Sequence, residues 1–119
     1  MDELLMVLKA LADETRFKII SLLLNHDLCV GGLARRLNIS EAAASQHLQI
    51  LRKAGIIKGE KRGYYTHYWV NREALQNVSE KILALASQPP SQLEGNCRKN
   101  PSGQCRCFGK EDQNNQTFQ

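Results

Sequence analysis

The stretch that most constrains this chain runs from Asn38 to Tyr68, NISEAAASQHLQILRKAGIIKGEKRGYYTHY, where a helical period gives way to a strand pattern across one glycine. Ser40 suits a helix N-cap, since its hydroxyl can accept a hydrogen bond from a free backbone N–H two or three residues on. Ala44, Leu48 and Leu51 follow at i, i+4 and i+7, one apolar stripe on a 3.6-residue period. Ala42, Gln46, Gln49 and Lys53 point away from that stripe, and Ser45 lies on its flank. Ala54-Gly55 ends the helix, glycine being the usual residue just past a helix end. Ile56 to Lys61 and Tyr64 to Val70 are β-rich, with Arg62-Gly63 as the turn, so a hairpin with a basic tip is expected.

The outward side of that helix is small or amide-bearing at its start and basic at its end. Amides and hydroxyls exchange donors and acceptors with base edges, and small residues let a helix approach closely. The chain carries a formal charge of +4 with a pI near 9.0, which by itself decides nothing about partners. Its placement is more telling. From Arg35 to Arg62 seven basic residues face only two acids, Glu41 and Glu60, so the positive charge concentrates where phosphates would be met. An ordinary solvated face is the competing reading of the same cluster.

The rest of the first 88 residues supplies helices to hold this element. Leu4, Leu8 and Leu11 make the first dozen residues a short amphipathic helix. Asp13 can cap a second, in which Phe17, Ile20 and Leu24 repeat the spacing and Ile19 and Leu23 broaden the buried face. Asn25, His26 and Asp27 break it, and His26 is assigned no role. Val30, Leu33 and Leu37 mark a third, short helix with Arg35 and Arg36 turned outward. Leu37-Asn38-Ile39-Ser40 then makes a tight turn into the opening helix, which completes a helix-turn-helix. In the second strand of the hairpin Tyr64, Thr66, Tyr68 and Val70 share one face, and Tyr65, His67 and Trp69 the other. These aromatics are expected to close the core rather than stack on bases.

Asn71 caps a last helix in which Leu75, Val78, Ile82 and Leu85 form a narrow seam, the pattern one helix presents to another. A homodimer through the first and last helices follows, with purely intramolecular packing as the alternative. Gln88-Pro89-Pro90 ends the folded part, and residues 89–119, rich in Gln, Asn, Gly, Ser and Pro, read as a flexible tail. At 119 residues with 42% hydrophobic, the chain has material for one core. No apolar run approaches the roughly 20 residues that span a bilayer, and the N-terminus lacks the basic region of a signal peptide. A cytoplasmic protein without a membrane partner is expected. In that reducing setting Cys29, Cys97, Cys105 and Cys107 serve metals or redox chemistry more readily than disulfides.

LKALADETRFKIISLL, DLCVGGLARRLNIS, SQHLQILRKAGII and KRGYYTHYWVN, in that order, resemble the ArsR/SmtB family of metal-responsive winged-helix repressors, over about Leu8 to Leu85. The resemblance implies a mainly α fold with a small β-hairpin: a winged helix-turn-helix of five helices plus a wing, dimeric, on double-stranded DNA at a palindromic operator. It implies a recognition helix at Glu41 to Lys53, a wing tipped by Lys61 and Arg62, and His47 close to DNA. The helical wheel instead sets His47 beside the buried stripe, so packing is its other possible role. Together with the spacing, the candidate DNA contacts are Arg36, Ser40, Ala42, Ser45, Gln46, His47, Gln49, Lys53, Lys61 and Arg62.

The sensor site departs from two family patterns. Arsenic-responsive members carry Cys-Val-Cys where this chain has Cys29-Val30-Gly31, and the last helix holds Glu73 and Glu80 but no histidine for a zinc site. Three tail thiols suit a thiophilic centre, and Cys105-x-Cys107 chelates with little loop-closure cost. Arsenite or antimonite needs only Cys97, Cys105 and Cys107, whereas cadmium or zinc wants a fourth ligand, which Cys29 could give. Thiols that sense oxidants or persulfides remain a second reading, and a small thiol enzyme such as an arsenate reductase a third, from a different class.

Overall fold

The computed structural model describes residues 2–90 together with the backbone of residues 98–99 and 105–106. The tail cysteines Cys97 and Cys107 lie outside the described residues, and Cys105 is described through its backbone alone. The chain divides into two units, Met1–Ala86 and Ser87–Gln119. In the second, β4 (Arg98–Lys99) pairs antiparallel with β5 (Cys105–Arg106), which sets Lys99 opposite Cys105.

The first unit runs α1 (Asp2–Leu11), α2 (Glu14–Asn25), β1 (Leu28–Cys29), α3 (Val30–Leu37), α4 (Glu41–Lys53), β2 (Ile57–Arg62), β3 (Tyr65–Val70) and α5 (Arg72–Ala86). This is a winged helix-turn-helix. The boundaries follow local chemistry. Asp13 caps α2 by accepting from the Arg16 N–H at 3.0 Å, and Ser40 caps α4 through the Ala43 N–H at 3.0 Å. Both α3 and α4 end in the same pair of backbone bonds: Ile39 N–H to Ala34 O with Asn38 N–H to Arg35 O, and Ile56 N–H to Leu51 O with Gly55 N–H to Arg52 O. That closure needs a left-handed residue just past the helix. Asn38 supplies it at φ 59°, Gly55 at φ 80°.

The core draws on every helix. Leu4 and Val7 of α1, Ile19, Ile20 and Leu23 of α2, Leu33 of α3, and Leu48 and Leu51 of α4 are buried, closed by Ile56, Ile57, Val70 and Val78. At roughly 1.5–3 kcal/mol per buried aliphatic side chain, this cluster orients α4. Two expected stripes are rotated. In α2 the buried line is Ile19, Ile20 and Leu23, while Phe17 is 60% exposed; the side of the helix facing α1, α3 and α4 is set by those two isoleucines. In α1 the buried positions are Leu4, Val7 and Ala10, with Leu8 and Leu11 half-buried.

The sheet has three strands in the order β1-β3-β2, one more than the expected hairpin. Two residues, Leu28 and Cys29, pair with Tyr68 and His67. So short a strand leaves no alternation to read. The hairpin turn is Gly63-Tyr64 rather than Arg62-Gly63, because Arg62 still pairs with Tyr65; Gly63 takes the positive φ that the tight turn requires. Of the wing aromatics only Tyr68 packs against the core, while Tyr64, Tyr65 and Trp69 are exposed, against the expectation that they close it. Gly59 makes room for Tyr68: a Cβ there would lie 3.0 Å from the ring.

Candidate nucleic-acid interface

Burial of Ala44, Leu48 and Leu51 on one side of α4 leaves Ala42, Ser45, Gln46, Gln49 and Lys53 exposed on the other. Ser45, Gln46 and Gln49 line an open cleft of about 300 Å³ together with Leu48, Arg52 and Tyr68 of the wing. The turn closed by Asn38 delivers Ser40 to the start of α4, where its hydroxyl is engaged in capping. Helix and wing thus share one cleft, to which α4 contributes two amides. Lys53 sits at the opposite end of α4 and borders a second cleft with Met6 and Lys9 of α1.

The charge in this part of the chain is uneven. Arg35, Arg36, Arg52, Lys53, Lys58 and Lys61 are exposed, and among the described residues none of these six enters an ion pair. Arg62 differs. Its guanidinium donates to Asp27 and, at 3.4 Å, to Glu60, and the adjoining carboxylate of Asp27 holds it above the usual arginine range.

His47 faces inward. Its Nδ1 lies 3.2 Å from Arg16 Nη1, and since a guanidinium only donates, Nδ1 is the acceptor. The same Arg16 donates through Nε to Ala10 O at 2.6 Å. His47 therefore ties α4 to the junction of α1 and α2, the packing side of the two roles open to it. Asp13, whose carboxyl the Arg16 backbone N–H holds below its ordinary value, lies 4.0 Å from the same ring nitrogen.

Residues 13–58, from the cap of α2 to the start of the wing, match the model of the bacterial regulatory protein arsR family. Over 87 residues the chain is 39% identical to the transcriptional repressor SdpR of Bacillus subtilis, across 73% of this chain and 97% of that protein. The chain belongs to the ArsR family. It is also 40% identical over 78 residues to a cadmium resistance transcriptional regulatory protein CadC homolog of Staphylococcus aureus, covering 65% of this chain and 64% of the relative. Among solved structures, an ArsR-like transcriptional regulator from Rhodococcus sp. RHA1 superposes with a TM-score of 0.68 at 30% identity, over 72% of this chain and 81% of that one.

ArsR-family proteins are DNA-binding transcriptional regulators, so the enzyme reading falls away. In this ArsR-family chain Cys29 is half-buried at the N-cap of α3, its side chain making no cap bond. The sheet register puts it opposite His67, which in turn faces Glu60 on β2. Among the described residues no three His, Cys, Asp or Glu side chains converge well enough to hold a metal ion. Two features of the interface escaped sequence reasoning. Arg52 and Tyr68 line the cleft because α4 and β3 approach each other in space. Asp27 was visible only as a helix breaker, and its partner is 35 residues away.

Proposed function

We propose that this ArsR-family regulator is a cytoplasmic homodimeric repressor that holds a palindromic operator with α4 in the major groove and the wing alongside. The observation that carries this reading is the cleft lined by Ser45, Gln46, Gln49, Arg52 and Tyr68 of the wing, in a stretch of chain where six of seven basic side chains are free of acidic partners among the described residues. Arg36, Lys61 and Arg62 meet phosphates, while Gln46 and Gln49 meet base edges. Ser40 acts by setting where α4 begins, and Ala42 by allowing close approach. Dimerisation joins α1 and α5, whose Leu5, Met6, Ile82, Leu83 and Leu85 are exposed. SdpR is named a repressor, which supports the sign of regulation.

Release follows when thiolates capture a thiophilic ion. Arsenite or antimonite is satisfied by Cys97, Cys105 and Cys107; recruitment of Cys29 at the mouth of α3 couples capture to the helix before α4. Such coupling is needed, since an ion shifts the DNA-binding equilibrium only by its different affinity for the two states. Cadmium is the second reading, favoured by the name of the CadC relative and by the fourth ligand that Cys29 offers. The deciding experiment is operator binding by fluorescence anisotropy, titrated with arsenite, antimonite, cadmium, zinc and a persulfide donor. It compares the parent with Cys29→Ser and with the triple tail variant. Release lost in both variants supports capture by the tail coupled through Cys29, the effective ion distinguishing arsenite from cadmium, whereas arsenite release lost only in the triple variant would remove Cys29 from the switch. Release by none of the ions overturns metal sensing, and release by the persulfide donor alone reassigns the thiols to redox sensing.

A further inference from the structure

Six of the seven basic residues around the interface stand clear of acids among the described residues, and the seventh, at the tip of the wing, does not. We propose that Asp27 is the internal counter-charge of Arg62, carried in the free protein and surrendered to a DNA phosphate on binding, so that Asp27 sets a ceiling on DNA affinity. The inference rests on the reading that Arg62 meets phosphate.

The arrangement is built by the sheet and does not depend on a chance meeting of long side chains. Pairing of Leu28 with Tyr68 and Cys29 with His67 anchors the loop that carries Asp27 beside β3. Glu60 lies opposite His67 on β2, and Arg62 comes two residues later on the same strand. One Asp27 oxygen accepts from Arg62 Nη1. The other lies 3.6 Å from His67 Nδ1, a buried ring nitrogen without a hydrogen-bond partner. Glu60 takes the remaining edge of the fork at 3.4 Å.

Apart from its approach to His67, Asp27 caps no helix among the described residues. His26, not Asp27, closes α2, and Cys29 stands at the N-cap of α3. Both members of the pair are close to half exposed, so solvent screens them and a phosphate can displace the carboxylate. A guanidinium fork presents a limited set of donors in a fixed plane, and two carboxylates already use both of its edges. Until Asp27 lets go, Arg62 neutralises no phosphate and releases no counterion. Its share of the affinity is thereby withheld.

The test uses the full chain and a random-sequence duplex of roughly 30 base pairs, because phosphate contacts are independent of sequence. Binding is measured by anisotropy across a salt series for the parent, Asp27→Asn, Arg62→Ala and the double variant. Asp27→Asn is expected to bind about fivefold tighter near 0.15 M salt and to steepen the log–log salt slope by about 0.9, the worth of one counterion. In the Arg62→Ala background the same change should do nothing. An equal gain in that background would show Asp27 acting only through its general field, and no gain in the parent would show that it withholds nothing; either overturns the inference while leaving the Arg62 contact standing. If the double variant binds as Asp27→Asn alone does, Arg62 contributes nothing even when released, the contact itself is absent and both readings fall.

Discussion

Helices α4 and α5 are similar in length and equally amphipathic in sequence, yet the fold treats them differently. In α4 the stripe is fully used within the subunit, with Leu48 2% and Leu51 0% exposed. In α5 only Val78 is buried, and Ile82, Leu83 and Leu85 remain 43%, 65% and 48% exposed. A helix whose apolar side is satisfied at home has its polar side free for a ligand. One whose apolar side is not satisfied has that side open to another chain. Under the proposed function the contrast separates the element that reads from the element that assembles, although both show the same period.

The sharpest break of that contrast is in the α4 core. Leu51→Ala should cost about 2–5 kcal/mol of unfolding free energy in a urea titration, through lost burial and a cavity; a loss comparable to a surface change would mean α4 is not anchored as described. On the polar side, Gln46→Ala should lose about 1–3 kcal/mol of discrimination between operator and random duplex. Equal losses on both would show that the amide does not read sequence. On α5, Ile82→Glu should leave the far-ultraviolet spectrum intact and weaken self-association at least about tenfold, about 1.4 kcal/mol. Unchanged sedimentation would remove the distinction between the two helices.

Smaller effects test how α4 is held at its start. Ser40→Ala should destabilise the fold by about 1 kcal/mol, since it frees the Ala43 N–H. The Asp13 cap acts one step further away, fixing the turn from which Arg16 reaches His47. Its carboxyl is held below 3.8, chiefly by the Arg16 N–H, so its contribution is present above the unfolded value and is lost as pH falls through the folded one. The thermal advantage of the parent over Asp13→Ala should therefore shrink between about pH 5 and pH 2. An advantage that stays constant over that range would assign the cap no charge dependence.

Much of this was legible locally. The caps at Asp13 and Ser40, the turn at Asn38, the helix end at Gly55, the α4 stripe and the hairpin all depend on residues within a few positions of one another. Short-range backbone chemistry writes such features directly into the sequence. The α2 stripe was misjudged at Phe17 because several apolar residues compete there, and which of them is buried depends on where the neighbouring helices lie. The exposed Tyr64, Tyr65 and Trp69 were misjudged for a related reason: an aromatic residue in a strand is equally compatible with a core and with an outer face.

By itself, then, the sequence determined the order of the five helices and the hairpin, the outward row of Ala42, Gln46, Gln49 and Lys53 with Ser45 on its flank, and the concentration of positive charge in that part of the chain. Only the tertiary structure decided that His47 turns inward to Arg16, that Leu28 and Cys29 form a third strand, and that Asp27 neutralises Arg62. Each of these joins residues about thirty or more positions apart. No period or spacing encodes such a meeting. It arises when buried aliphatic side chains fix the helices and the strand register carries distant polar groups to the same edge.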